Sequence, residues 1–281
     1  MSRVAVVGAG TMGNGIAHVF ALYGWETALL DVSRDQLARA VSAIKDNSER
    51  QVQKGAMTED ARQRLLDRIS TDTSLEVAQG AELVVEAATE NPAIKFGIFR
   101  DLSRICRPNT ILASNTSSIS INDIAEQTDR PEQVIGMHFM NPVPVMTLVE
   151  IVRGKQTAKH VVDRTDQISK SLGKTPVIVK DSPGFVSNRV LMPMINEAIF
   201  CVQDGIATAE GVDTVMKLGM KHPLGPLALA DLIGLDVCLA IMEVLQEGLG
   251  DKYAPARLLK EMVASGRLGR KSGAGFYVYR D

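Results

Sequence analysis

Cysteine is scarce in this chain of 281 residues: Cys106, Cys201 and Cys238 are the only three, and they lie far apart. Three cysteines cannot close an even disulfide framework, and their separation gives no metal-ligand spacing. No metal site is expected, and a reducing compartment is the simpler reading. Long apolar runs are missing as well. None reaches the ~18–20 residues that a membrane span needs. Excess charge of one sign is also absent, since 31 Lys and Arg stand against 33 Asp and Glu, for a formal charge of -2. Without a global field, neither nucleic acid nor an anionic membrane is an expected partner, and a charged ligand requires a local site. After Met1 and Ser2 the chain goes straight into RVAVVGAG, which leaves no room for a signal or transit peptide. The expectation is a soluble, cytoplasmic protein.

What is present is a globular composition, 45% hydrophobic and 23% charged, without internal repeats or low-complexity segments. The length suits one large domain or two ordinary ones. Strand candidates occupy 4–8, 26–31, 82–88, 110–116, 133–139 and 175–181, with helical stretches such as 12–23 and 92–106 between them. A polar helix pair, broken near Gly55, fills about 35–69 as an insertion. Such alternation predicts an α/β fold, a doubly wound, mostly parallel sheet of Rossmann type. Beyond Pro183-Gly184 the pattern turns helical, over about 185–204, 208–219, 224–248 and 255–266, with only GFYVY extended. The division expected is 1–183 and 184–281. Apolar residues circle much of the later helices. This points either to a subunit interface or to a core shared with the first domain.

The hexapeptide GAGTMG sets Gly8, Gly10 and Gly13 at G-x-G-x-x-G spacing, after a strand and at the start of a helix. The glycines suit a tight turn, close approach to a pyrophosphate, and helix-on-strand packing. The second strand ends in Asp31, where a carboxylate accepts both hydroxyls of an adenosine ribose and repels a 2′-phosphate. NAD is therefore favoured over NADP, a preference that nearby Arg34 softens. The alternative is a plain glycine-rich turn.

His138 and Glu150 bracket the segment HFMNPVPVMTLVE. A histidine between Met137 and Phe139 is more often a core residue than a site residue. Glu150, however, shares a strand face with Met146, Leu148 and Val152 if the period is two. A buried carboxylate needs a strong donor. Pro142 and Pro144 cannot continue a ladder, so the chain turns there and can bring Glu150 back beside His138. The carboxylate then fixes the imidazole tautomer and leaves the other nitrogen for a ligand, as a general base requires.

Together, VAVVGAGTMGNGIA, ASNTSS, GMHFMNPVPVMTLVEIV, DSPGFVSNR and HPLGPLALADLIGLD resemble the L-3-hydroxyacyl-CoA dehydrogenases, above all the short bacterial type that acts on 3-hydroxybutyryl-CoA. The resemblance spans the chain with its motifs in order. It implies a two-domain, NAD-linked homodimer, joined through its C-terminal helices, that interconverts (S)-3-hydroxyacyl-CoA and 3-oxoacyl-CoA. By the same resemblance His138 is the base, Glu150 its orienting partner, Ser117 the hydroxyl on the reacting oxygen, and Asn188 a substrate-holding amide. Thr11, Met12, Asn115 and Lys271 join the glycines around the cofactor, with Glu90 and Lys95 at its nicotinamide-side ribose. Lys54 and Arg50 match the region that binds the phosphate end of coenzyme A.

Each assignment has a plainer counterpart. Ser117 and Asn115 could belong to a helix cap, Asn188 to an ordinary first helical turn, Glu90 and Lys95 to a solvated helix start. Lys271 could be a loop charge, and Arg50 with Lys54 a solvated face. His222 in the HPLGP turn reads as structural, and His18 and His160 as surface or packing residues. Two other functions fit the same scaffold: an NAD-linked dehydrogenase of free 3-hydroxy acids such as gulonate, and a non-catalytic NAD-binding protein.

Overall fold

Val4 to Val7 are buried on both faces, as a central strand of a covered sheet requires. They belong to β1 (Arg3–Val7), one strand of an eight-stranded sheet in the computed structural model, which describes residues 2–279. The chain divides into two compact units, Met1–Asp181 and Ser182–Asp281.

In the first unit the chain alternates as the composition demands: α1 (Thr11–Leu22), β2 (Glu26–Leu30), α2 (Arg34–Gln53), α3 (Glu59–Asp67), β3 (Ile69–Asp72) and β4 (Leu83–Glu86) come first. Then follow α4 (Pro92–Ile105), β5 (Ile111–Ser114), α5 (Ile121–Ala125), β6 (Val134–Phe139), β7 (Leu148–Arg153), α6 (Lys159–Ser171) and β8 (Thr175–Lys180). The sheet order is β3-β2-β1-β4-β5-β6-β7-β8. Every pairing is parallel except β6 with β7. The order reverses between β1 and β4, so the crevice past their carboxyl ends is where an open α/β sheet receives a ligand. The strand β3 was not expected. Its sequence, ISTD, has no apolar run, because as an edge strand it leaves three of its four residues exposed.

The second unit has α7 (Ser187–Gln203), α8 (Ala209–Gly219), α9 (Pro226–Ile233), α10 (Leu235–Leu249) and α11 (Arg257–Ala264). The single helix expected over 224–248 is broken into α9 and α10 at Gly234, whose φ of 106° no helix tolerates. The HPLGP turn is built around a carboxylate. Asp213 accepts the Leu227 and Ala228 amides at 2.8 and 3.0 Å, capping α9, and a Cβ on Gly225 would fall 2.2 Å from its carboxyl carbon. Among the described residues the GFYVY segment makes one isolated bridge, Val278 with Ala274, in place of a strand ladder. Asp231 holds it, accepting from the Phe276 and Tyr277 amides and the Tyr279 hydroxyl.

His18 is a packing residue of an unusual kind. It sits on α1, 1% exposed, with Nε2 3.3 Å from the Gln51 amide nitrogen on α2. Burial first, and the Lys174 ammonium second, pull its imidazole from the ordinary 6.5 down to about 4. The folded protein keeps the ring neutral, whereas the unfolded chain protonates it below about 6.5. Stability from this residue is complete above that value and is lost as pH falls through 6.5 toward 4, amounting to roughly 2 kcal/mol by pH 5. Urea unfolding at about pH 7 and pH 5 should record that loss, and His18→Leu should remove most of the difference.

Candidate active site

The antiparallel pairing of β6 and β7 sets His138 directly opposite Glu150, with Gly136 opposite Val152. Residues opposed in this way project to one face. His138 Nδ1 lies 2.8 Å from Glu150 Oε2, and both side chains are buried. A carboxylate only accepts, so Nδ1 carries the proton and donates it, and Nε2 is the nitrogen without one in the neutral ring. Met146 does not share the Glu150 face as the period of two suggested. The Val145 and Met146 amides both donate to the Pro142 carbonyl, at 3.0 and 2.9 Å, which makes a turn there and delays β7 to Leu148. That turn is packed and pinned. Val143 presses on Gly15 of α1, where a Cβ would come within 2.9 Å, and the buried Lys174 ammonium donates to the Val143 and Met146 carbonyls at 2.6 and 2.8 Å.

The loop after β5 joins this site to the next strand. Asn115 Oδ1 accepts from the Phe139 amide at 2.9 Å, and the Asn115 amide donates to the Glu86 carbonyl at 2.7 Å. Glu90 accepts from the Ser117 amide and hydroxyl at 2.6 and 3.0 Å, and from the Thr116 hydroxyl at 2.8 Å. Thr116 Oγ1 also accepts the Ser118 and Ile119 amides, so the loop is both a local hydroxyl turn and a tether to Glu90.

Lys95, which the resemblance sets with Glu90 at the cofactor, does not take the plainer alternative of a solvated helix start. It is buried in an ion pair with Glu86, which also accepts the Ala88 amide and the Ser114 hydroxyl, both at 2.9 Å. Lys95 sits one turn into α4 and points back at the sheet, where the end of β4 supplies the nearest buried anion. Glu86 was missed, although a carboxylate in the apolar run LVVEAA is the same signal that singles out Glu150.

Around β1 the glycines act as sterics require. Gly8 has φ of 100°, and a Cβ on Gly13 would fall 1.7 Å from the Gly8 carbonyl oxygen. A Cβ on Gly10 would meet nothing within 4 Å, and α1 starts there with neither a side-chain cap nor an acid in its first turn. Thr11 and Met12 open that turn. Uncapped amides beside open space are what a pyrophosphate needs, so these residues fit a dinucleotide. Asp31, at the end of β2, accepts the Ala9 and Ser33 amides at 2.8 and 2.9 Å. Gln36, not anticipated, donates to the Ala9 carbonyl at 2.9 Å and holds the loop from α2.

Arg50 and Lys54 are exposed at the end of α2, with Arg50 donating to Asn47 Oδ1 at 2.6 Å and Lys54 at the C-cap. In the second unit, Asn188 is buried in the first turn of α7, and Lys271 donates to Asp236 at 2.6 Å. Among the described residues no group of His, Cys, Asp and Glu could hold a metal ion.

The Glu86–Lys95 pair supplies a stability test. Lys95→Met would strand a buried carboxylate and should cost about 3–5 kcal/mol, read as a lowered thermal midpoint. Adding Glu86→Gln to that variant should recover most of the loss, because no unpaired charge then remains.

The family model for the 3-hydroxyacyl-CoA dehydrogenase NAD binding domain matches residues 3–182, and that for the 3-hydroxyacyl-CoA dehydrogenase C-terminal domain matches residues 184–279. A protein of Bacillus subtilis named as a probable 3-hydroxybutyryl-CoA dehydrogenase is 52% identical, over 100% of this chain and 98% of its own. The 3-hydroxybutyryl-CoA dehydrogenase of Bradyrhizobium diazoefficiens is 49% identical over 100% of this chain and 96% of its own. The crystal structure of (S)-3-hydroxybutyryl-CoA dehydrogenase from Ralstonia eutropha superposes with a TM-score of 0.97 at 48% identity, covering 100% of both chains. With both domain models matched in order along the chain, the protein belongs to the 3-hydroxyacyl-CoA dehydrogenase family.

Proposed function

We propose that this protein interconverts (S)-3-hydroxyacyl-CoA and 3-oxoacyl-CoA with NAD, acting on 3-hydroxybutyryl-CoA, in the cytoplasm. The observation that carries the proposal is the buried His138–Glu150 pair at the end of the sheet beside the Asn115 loop. In this reading residues 1–183 bind the dinucleotide, and 184–281 serve substrate and dimer contacts. Gly8, Gly10, Thr11, Met12 and Gly13 cradle the pyrophosphate, and Asp31 exchanges its loop amides for ribose hydroxyls. Glu90, Asn115 and Lys271 flank the nicotinamide side. Lys95 acts there through Glu86, in place of direct contact. The chemistry supplied by bound NAD is hydride transfer at substrate C3.

The proton is the protein's share of the reaction. In oxidation His138 Nε2 takes it from the 3-hydroxyl, while Glu150 holds the Nδ1–H and stabilises the imidazolium that results. In reduction the same Nε2–H polarises the ketone and returns the proton. Ser117 and Asn188 orient the reacting oxygen and the acyl chain, and Lys54 with Arg50 meets the phosphates of coenzyme A. A second copy of the chain is the proposed partner of the helical unit, where Val190, Val215, Leu218 and Met220 stand exposed outside that unit's own core.

The test is NADH oxidation with acetoacetyl-CoA, with NADPH and free acetoacetate as parallel substrates. Rapid turnover that needs both NADH and the CoA portion is expected. Absence of turnover despite NADH binding would discard acyl-CoA chemistry and favour free 3-hydroxy acids such as gulonate. His138→Ala should lower kcat by about 10²–10⁴-fold with NADH affinity unchanged. Lys54→Ala should raise KM for acetoacetyl-CoA with kcat preserved, the pattern for an interaction made equally in ground and transition states.

A further inference from the structure

Lys174 is buried, yet among the described residues no carboxylate pairs with it; its ammonium is spent on two backbone carbonyls, those of Val143 and Met146. Desolvation alone makes such a cation costly, and a methionine would fill the space without that cost. Its backbone is held on both sides. The Gly173 amide donates to the Lys170 carbonyl and the Lys174 amide to that of Ser169, at 3.0 and 3.1 Å, with Gly173 at φ 67°, the glycine-terminated close of α6. One residue later the Thr175 amide donates to the Thr147 carbonyl at 2.8 Å, where β8 joins β7. The side chain thus leaves a fixed platform and reaches across a turn.

That turn is the connection from His138 to Glu150. Its other side is the Val143 side chain on Gly15, in the helix that opens at the glycine-rich loop. We infer that Lys174 is a positioning residue: by gripping the Val143 and Met146 carbonyls it fixes the β6–β7 connection, and with it the alignment of the His138 ring on Glu150. The inference rests on His138 being the base of the proposed reaction. Neutral His18 leaves the Lys174 ammonium unopposed in this region, since its own proton is lost above about pH 4.

The experiment compares Lys174→Met, Lys174→Gln and Lys174→Arg in the full chain. For each, kcat and KM with acetoacetyl-CoA, NADH affinity, and the downfield proton resonance of the His138 Nδ1–H are measured, the last assigned by its absence in His138→Ala. Loosening of a catalytic group on the ångström scale costs on the order of 10- to 100-fold. That fall in kcat is expected for Met, with KM and NADH affinity within about twofold and a broadened His138 resonance. Gln, with one donor group, should fall between, and Arg should recover most of the rate. If Met fails to fold, the order Lys, Arg, Gln in kcat decides the question. Unchanged kcat in folded Met or Gln, lost kcat with an unaltered His138 resonance, or Arg no better than Met would overturn the inference. Turnover by His138→Ala would instead overturn the base assignment, a separate failure.

Discussion

An antiparallel pair brings two directly opposed residues onto one face of a sheet within about 5 Å of each other, a closeness that lets short side chains bond. The β6–β7 pairing uses that geometry once, in a sheet whose other pairings are parallel, and His138 meets Glu150 there. The contacts nearby converge on keeping that register. Asn115 ties the end of β6 to the loop after β5, Val143 seats the turn on Gly15, and Lys174 grips the turn from the β8 side.

Glu86 and Glu150 answer one physical problem in two ways. Each is a carboxylate at a buried strand position, and each must find donors strong enough to offset desolvation. Glu86 has a lysine, a serine hydroxyl and an amide, which together keep the end of β4 rigid where the strand order reverses. Glu150 has a histidine, whose proton can move. The first arrangement suits a framework, the second suits chemistry.

Much of this was legible in the residues. The glycines at 8, 10 and 13, the carboxylate closing β2, and the two prolines between His138 and Glu150 each have a local steric or electrostatic reason that the linear order displays. The polar helix pair after β2 was readable from its charge and from the break at Gly55. Less legible were features whose reason lies across the fold. The strand β3 carries no strand-like sequence because an edge position asks little of it. The GFYVY segment has the composition of a strand but finds Asp231 instead of a neighbouring ladder. A solvated helix start was the plainer alternative for Lys95, and only the position of Glu86 shows why it is inside.

By itself the sequence determined the alternation of strands and helices, the dinucleotide fingerprint, and the presence of a buried acid that needed a donor. These follow from periodicity, from the volume of a missing Cβ, and from the cost of an unpaired charge, all of which are local. Only the tertiary structure decided which donor each buried acid received, where the strand order reverses, and that a lysine 28 residues beyond Met146 holds the turn between His138 and Glu150. Those choices depend on which elements become neighbours, and neighbourhood across a sheet is set by packing of the whole chain, not by any stretch of it.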